Sequence, residues 1–322
     1  MVRRKFLTTG IAMTMTPFLS SLAGFSNTGD ALVVWNAEEF HAARQFVEVP
    51  AGKIAFVERG SGPVALFLHG FPLNGFQWRS SMARLASMRR CVAPDMMGLG
   101  YTDVAEDTDL SPSAQAAMLI AFLDNLKIEE VDIVSNDSAT GIAQLIAAHH
   151  PERVRTLLLT NGDVQTNSPP AKLLPFLDKA RRGEVAPWYE RHLTDHAFAR
   201  SREGIGNAYH NPNRTLTPEV IETYFRPLIS SEKRRKQGEQ YGLAMFPNPL
   251  PAIEPKLHSF RRPVRIVWAR DNELFPDQWA HWLDTAFPDS HGIRLVANAK
   301  LFFPEERPGT ISLEAHNLWQ HN

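Results

Sequence analysis

The sequence predicts an α/β protein: a mostly parallel sheet with helices on both faces, interrupted by one large helical insertion. Three observations predict it. From about residue 50, apolar runs of strand length alternate with runs of helix length. Over residues 165–258 the alternation stops, and helical pieces separated by prolines and glycines take its place. It resumes from residue 259, so the insertion interrupts the sheet rather than following it.

The elements follow in order. "KIAFVERG" and "VALFLHG" are strands divided by the turn "SGP". "GFQWRSSMARLAS" places Phe76, Met82 and Leu85 on one helix face. "RRCVAPDM" is a strand, and "PSAQAAMLIAFLDNL" a helix with Pro112 early in its first turn. "VDIVSND" is a strand, "SATGIAQLIAAHH" a helix and "VRTLLLTN" a strand. Strands this apolar are expected to be buried on both faces, as parallel strands are. The insertion carries "AKLLPFLDKARR", "PWYERHLTDHAFAR" and "PEVIETYFRPLI" as helices. "PVRIVWAR", "PDQWAHWLDTAF", "GIRLVANA" and "SLEAHNLWQ" complete the alternation. The expected organisation is a core of residues 31–164 and 259–322, with residues 165–258 as a helical cap. Such a cap would lie over the carboxyl ends of the strands, where ligands bind in these sheets.

Bulk properties narrow the function. A chain of 322 residues suits one core domain with a large insertion. Its 34 basic and 35 acidic residues nearly cancel and form no like-charged block, so no nucleic-acid partner is expected. The lone cysteine, Cys91, excludes an internal disulfide and a cysteine-built metal site. No His/Asp/Glu cluster has metal-ligand spacing, so neither metal nor cofactor is implied.

The first 30 residues stand apart. "VRRKFLTTGIAMTMTPFLSSLAG" pairs Arg3 with Arg4, continues with a mildly apolar run, and offers Ser21-Leu22-Ala23 as a small-x-small cleavage site. It resembles a twin-arginine export signal, whose expected partner is the twin-arginine export machinery and whose destination is the periplasm. The run is too short and too polar for a comfortable span, which needs about 20 apolar residues. No stable membrane insertion is expected once the signal is removed.

The chemistry centres on "IVSNDSATGIAQ", where a strand turns into a helix at Asp137. Such a turn needs small residues two before and two after the presented side chain, because strand and helix approach closely. Centring on Asp137 puts Ser135 and Ala139 there; centring on Ser138 puts Asn136 and Thr140 there, a poorer fit. The competing structural role for Asp137 is that of a helix cap.

The order of His69-Gly70-Phe71-Pro72, then Pro94-Asp95-Met96-Met97-Gly98-Leu99-Gly100, then this turn resembles the α/β-hydrolase fold over residues 50–322. With an aspartate at the turn, it resembles the haloalkane dehalogenases, epoxide hydrolases and fluoroacetate dehalogenases. The resemblance implies that Asp137 attacks a saturated carbon to form an ester, which water then cleaves. It implies oxyanion donors from the backbone of Phe71 and Ser138, within a substrate-binding loop that includes His69. Haloalkane dehalogenases place a polar halide-binding residue where Phe71 stands. The fluoroacetate enzymes follow their aspartate with an arginine, and Ser138 stands there instead. Epoxide hydrolases use cap tyrosines to protonate the ring; Tyr189, Tyr209, Tyr224 and Tyr241 are the candidates.

The helpers depart from the pattern. The family acid falls at Asn272 in "VWARDNELFP", with Asp271 beside it; an alternative location is Asp163 in "LTNGD". The family ends on a histidine before Phe-x-x-Glu-Glu-x-Pro, and here "LFFPEERP" puts Leu301 in its place. His192, His196 and His210 in the cap are the remaining histidines within the insertion that would have to reach the site. Without one, ester hydrolysis calls on Asp163, Asp271 or Glu305 acting through water.

The expected function is hydrolysis of a small organic substrate (an epoxide, alkyl halide or ester) through Asp137. Two others stay open: a lyase or isomerase using Asp137 as a base, and a ligand-binding protein that has lost hydrolase activity.

Overall fold

Central strands composed of valine, leucine and isoleucine bury both faces, and the sheet is built around them. The computed structural model describes residues 32–320. Arg3, Arg4 and the small-residue cleavage site lie outside the described residues. No described helix is long and apolar enough to cross a membrane.

The strands are β1 (Gln45–Val49), β2 (Gly52–Arg59), β3 (Val64–Leu68), β4 (Arg90–Pro94), β5 (Asp103–Val104), β6 (Val131–Asp137), β7 (Val154–Gly162), β8 (Val264–Ala269) and β9 (Ser290–Val296). They form one sheet in the order β1-β2-β4-β3-β6-β7-β8-β9, with β5 paired to β2. From β4 to β9 every neighbouring pair is parallel, while β1, β2 and β5 join antiparallel. Sequence reading missed β1, the short β5 and the helix Glu232–Leu243. The first two precede or leave the strand–helix rhythm. The helix is almost entirely polar in sequence, yet it buries Arg234, Gln237 and Tyr241.

All residues of β3 and β6 are buried, as are all but Arg155 of β7, and helices Pro112–Asn125 and Ser138–His149 cover one face. Asp137 and Asp163 stand at the carboxyl ends of β6 and β7. Between β7 and β8 the described chain holds helices and one isolated bridge, Val164 to Asn167.

Buried polar ties fasten this insertion to the core. Arg234 donates to the carbonyls of Gly100 at 2.7 Å and Thr102 at 2.9 Å. Glu305, from the core, accepts from Tyr209 at 2.8 Å, Tyr224 at 2.9 Å and Arg79. Its neighbour Glu306 accepts from the His210 and Asn211 amides at 3.0 and 2.7 Å. Glu305 is therefore a cap clamp. Its oxygens are committed and it does not line the cavity described below, which removes it as a water-activating base.

Candidate active site

β6 ends at Asp137 with φ 60° and ψ −133°. Side chains other than glycine seldom adopt this region, so the surroundings must hold it. Two glycines permit it. A Cβ on Gly162, opposite Asp137 in the β6–β7 register, would lie 2.0 Å from the Asp137 carbonyl oxygen. A Cβ on Gly70 would lie 2.3 Å from the Asp137 carboxyl. Asp137 does not use its side chain to cap the following helix.

The Asp137 carboxyl instead accepts the Phe71 amide at Oδ2, at 2.8 Å, and the Ser138 amide. Burial raises its pKa to about 7, although both amides pull it down. Two backbone donors converging on one point can stabilise negative charge there.

Asp163 is the first residue beyond β7, and its amide donates to the Asp137 carbonyl at 3.3 Å. Its carboxyl is raised well above the ordinary range, by burial first and then by the charge of Asp137; the Ser168 hydroxyl opposes the shift. Oδ1 of Asp163 has no hydrogen-bond partner among the described residues. Like charges this close do not readily ionise together. Asp137 has the amide donors and loses its proton first; Asp163 keeps its own.

Both carboxyls line a cavity of about 550 Å³ between core and insertion. Phe71, Phe176, Trp188, Phe275, Leu301 and Phe302 supply apolar wall, and Lys172, Asp271, Glu273 and Lys300 add charged groups. Asp271 is exposed, so of the two candidate acids Asp163 is the one buried beside Asp137. Asn272, at the family's acid position, is buried with an unpartnered Nδ2 while Oδ1 accepts the Leu274 amide at 3.0 Å.

Ser138 Oγ lies 3.0 Å from the Tyr241 hydroxyl, and Tyr241 stacks on Phe71 at 5.5 Å. None of the four candidate tyrosines lines the cavity. Tyr209 and Tyr224 bind Glu305, and Tyr189 donates to the Gly238 carbonyl.

His69 departs from its expected place in substrate binding. It is wholly buried and absent from the cavity wall. Nδ1 pairs with the Gly70 carbonyl at 2.9 Å and Nε2 accepts the Met96 amide at 3.0 Å, so it ties together the loops after β3 and β4. No described histidine lines the cavity. His192 is held by the Trp188 carbonyl and the Ile205 amide, and burial lowers it to about 4.

Sequence reasoning overlooked Asn136. Its Oδ1 accepts Gln77 Nε2 at 2.7 Å, and its Nδ2 reaches Thr160 Oγ1 at 2.8 Å and the Leu301 carbonyl at 3.0 Å. The available signal was a large polar side chain near the end of an otherwise apolar strand.

A family model for the alpha/beta hydrolase fold matches residues 63–306. Haloalkane dehalogenase 2 of Mycobacterium tuberculosis is 26% identical over 271 residues, covering 81% of this chain and 89% of the relative. A 2-hydroxymuconate semialdehyde hydrolase of Pseudomonas putida is 37% identical over 247 residues, covering 71% and 79%. The structure of haloalkane dehalogenase DbeA from Bradyrhizobium elkani aligns with a TM-score of 0.71 at 20% identity, over 87% of this chain and 99% of that one, a likeness of fold. With the strand order, the elbow and these matches together, the chain belongs to the alpha/beta hydrolase fold family, as a hydrolase in its haloalkane dehalogenase- and epoxide hydrolase-like branch.

Proposed function

We propose that the protein hydrolyses a small epoxide through an ester on Asp137, with Asp163 serving as proton donor and then as base. The observation that supports this most is the buried Asp163 carboxyl beside Asp137, whose Oδ1 has no partner among the described residues. In the first step an Asp137 carboxylate oxygen bonds to the ring carbon and the carbon–oxygen bond breaks. The Asp163 proton passes to the departing oxygen, leaving a hydroxyl on the esterified product. In the second step Asp163, now a carboxylate, takes a proton from water, which adds to the ester carbonyl. The alkoxide leaves with that proton, and Asp137, regenerated as the acid, returns a proton to Asp163. The Phe71 and Ser138 amides would hold the oxyanion formed on the way.

An oxygen leaving group needs a proton and a halide does not, so a protonated acid in the wall favours an epoxide over an alkyl halide. Ser138 is less suited to nucleophilic work, because its hydroxyl is paired with Tyr241 rather than with a base.

A single turnover of styrene oxide in heavy-oxygen water tests the reading. The first-formed diol should carry ordinary oxygen taken from Asp137, and the label should appear in the Asp137 peptide. A heavy diol with an unlabelled Asp137 would mean that water attacks the ring directly.

A further inference from the structure

We infer that the cavity selects substrates carrying a cationic nitrogen close to the carbon that Asp137 attacks; this rests on the aspartate-ester reading above. Two carboxyls, Asp137 and Asp163, are 8% and 2% exposed in the wall of one cavity, and among the described residues no cationic side chain acts on either. Buried charge of one sign calls for a partner, and here the protein supplies none.

Two further observations point to a ligand. Asp163 Oδ1 and Asn272 Nδ2 are both buried without partners, in residues that line this cavity. Asp163, keeping its proton, and Asn272 Nδ2 would both donate to an oxygen on the ligand, whose cationic nitrogen pairs with Asp137. The walls are aromatic, with Phe71, Phe176, Trp188, Phe275 and Phe302 contributing. Aromatic faces attract a cation that has left water.

The other titratable groups do not supply this charge. Lys172 donates to Glu273 at 2.8 Å, and Lys300 donates to the Asn207 carbonyl at 3.1 Å. With Asp271 exposed, these four groups balance two against two. Behind the wall, Tyr241 pairs with Ser138, and the neutral His69 is occupied on both ring nitrogens. The net charge facing the interior is that of Asp137. A cation beside it holds Asp137 ionised, which is the nucleophilic form, while Asp163 retains its proton.

The test compares benzyltrimethylammonium with neopentylbenzene, its neutral isostere, by quenching of tryptophan fluorescence in the full chain. At about pH 8.5 the cation should bind at least ~10-fold more tightly, and the preference should shrink toward pH 5 as Asp137 takes up its proton. Combining Asp137→Asn with Asp163→Asn should abolish the preference while neopentylbenzene still binds, which reports an intact cavity. Equal or tighter binding of the neutral isostere by the unaltered protein would overturn the inference. So would a preference that survives the double substitution, since it would then belong to Asp271 and Glu273. Neither ligand reacts, so failure here leaves labelled-oxygen transfer from Asp137 untouched, and failure of that transfer leaves this binding result untouched.

Discussion

The side-chain amide of Asn136 donates to the backbone carbonyl of Leu301 at 3.0 Å. The residue preceding Asp137 thus fixes the segment on which the family carries its histidine. Position 301 is held in the cavity wall by its backbone, whatever its side chain. Leu301→His, combined with Asn272→Asp to orient the imidazole, should therefore deliver a base to the ester on Asp137. A general base typically contributes ~10²–10⁴ in rate, so ester breakdown, followed by intact mass after a pulse of epoxide, should accelerate within that range. Unchanged decay in the double variant would show that the new imidazole does not reach the ester.

Asp137 also sets a pH dependence of stability. An acid whose folded pKa lies above its ordinary one holds its proton more tightly when folded. As pH rises from 3.8 to about 7, the unfolded chain loses that proton before the folded chain does, so stability falls through this window and levels off above it. The full effect is on the order of 4 kcal/mol. Asp137→Asn should be more stable than the unaltered chain above pH 7 and should lose this part of the decline, as read from urea midpoints across pH.

The same group governs reactivity. Alkylation of Asp137 by an excess of epoxide should rise with pH as the carboxyl ionises near 7. With an alkyl halide, Asp163→Asn should leave alkylation intact and slow hydrolysis of the ester, for which Asp163, no longer facing an Asp137 charge, first releases its proton to solvent. Equal slowing of both steps would mean that Asp163 acts by placing Asp137.

Gly70→Ala places a methyl group 2.3 Å from the Asp137 carboxyl. The carboxyl must then leave the Phe71 amide. Adduct formation should fall by at least ~10-fold, the loss expected when a positioned nucleophile is displaced. Circular dichroism should change little, since the clash is with a side chain.

Glu305→Gln probes the clamp. Breaking a buried ion pair by removing one partner costs about 3–5 kcal/mol. The Arg79–Glu305 pair is 15% and 1% exposed, which places it in that class. Urea unfolding should show a loss of this size, and Tyr209→Phe about 1 kcal/mol.

The strand-to-helix turn at Asp137 was legible because such a turn needs small neighbours, and Ser135 and Ala139 are local facts. The insertion was legible because it interrupts a rhythm. The choice between Asp163 and Asp271 was not, since both follow a strand in polar loops and only packing against the insertion buries one of them. His69 misled for a related reason: a histidine beside an oxyanion loop looks like a participant, and nothing local shows that Met96 occupies its nitrogen. Glu305 read as a water-activating base, because nothing local shows that Tyr209 and Tyr224, some 80–100 residues earlier, close over it.

That separation along the chain has a consequence for biosynthesis. Tyr209, His210, Asn211 and Tyr224 leave the ribosome well before Glu305 and Glu306, which bind them. Domains fold as units during synthesis, and this one cannot secure its insertion until those two glutamates have emerged. Until then the aromatic lining of the cavity stays exposed.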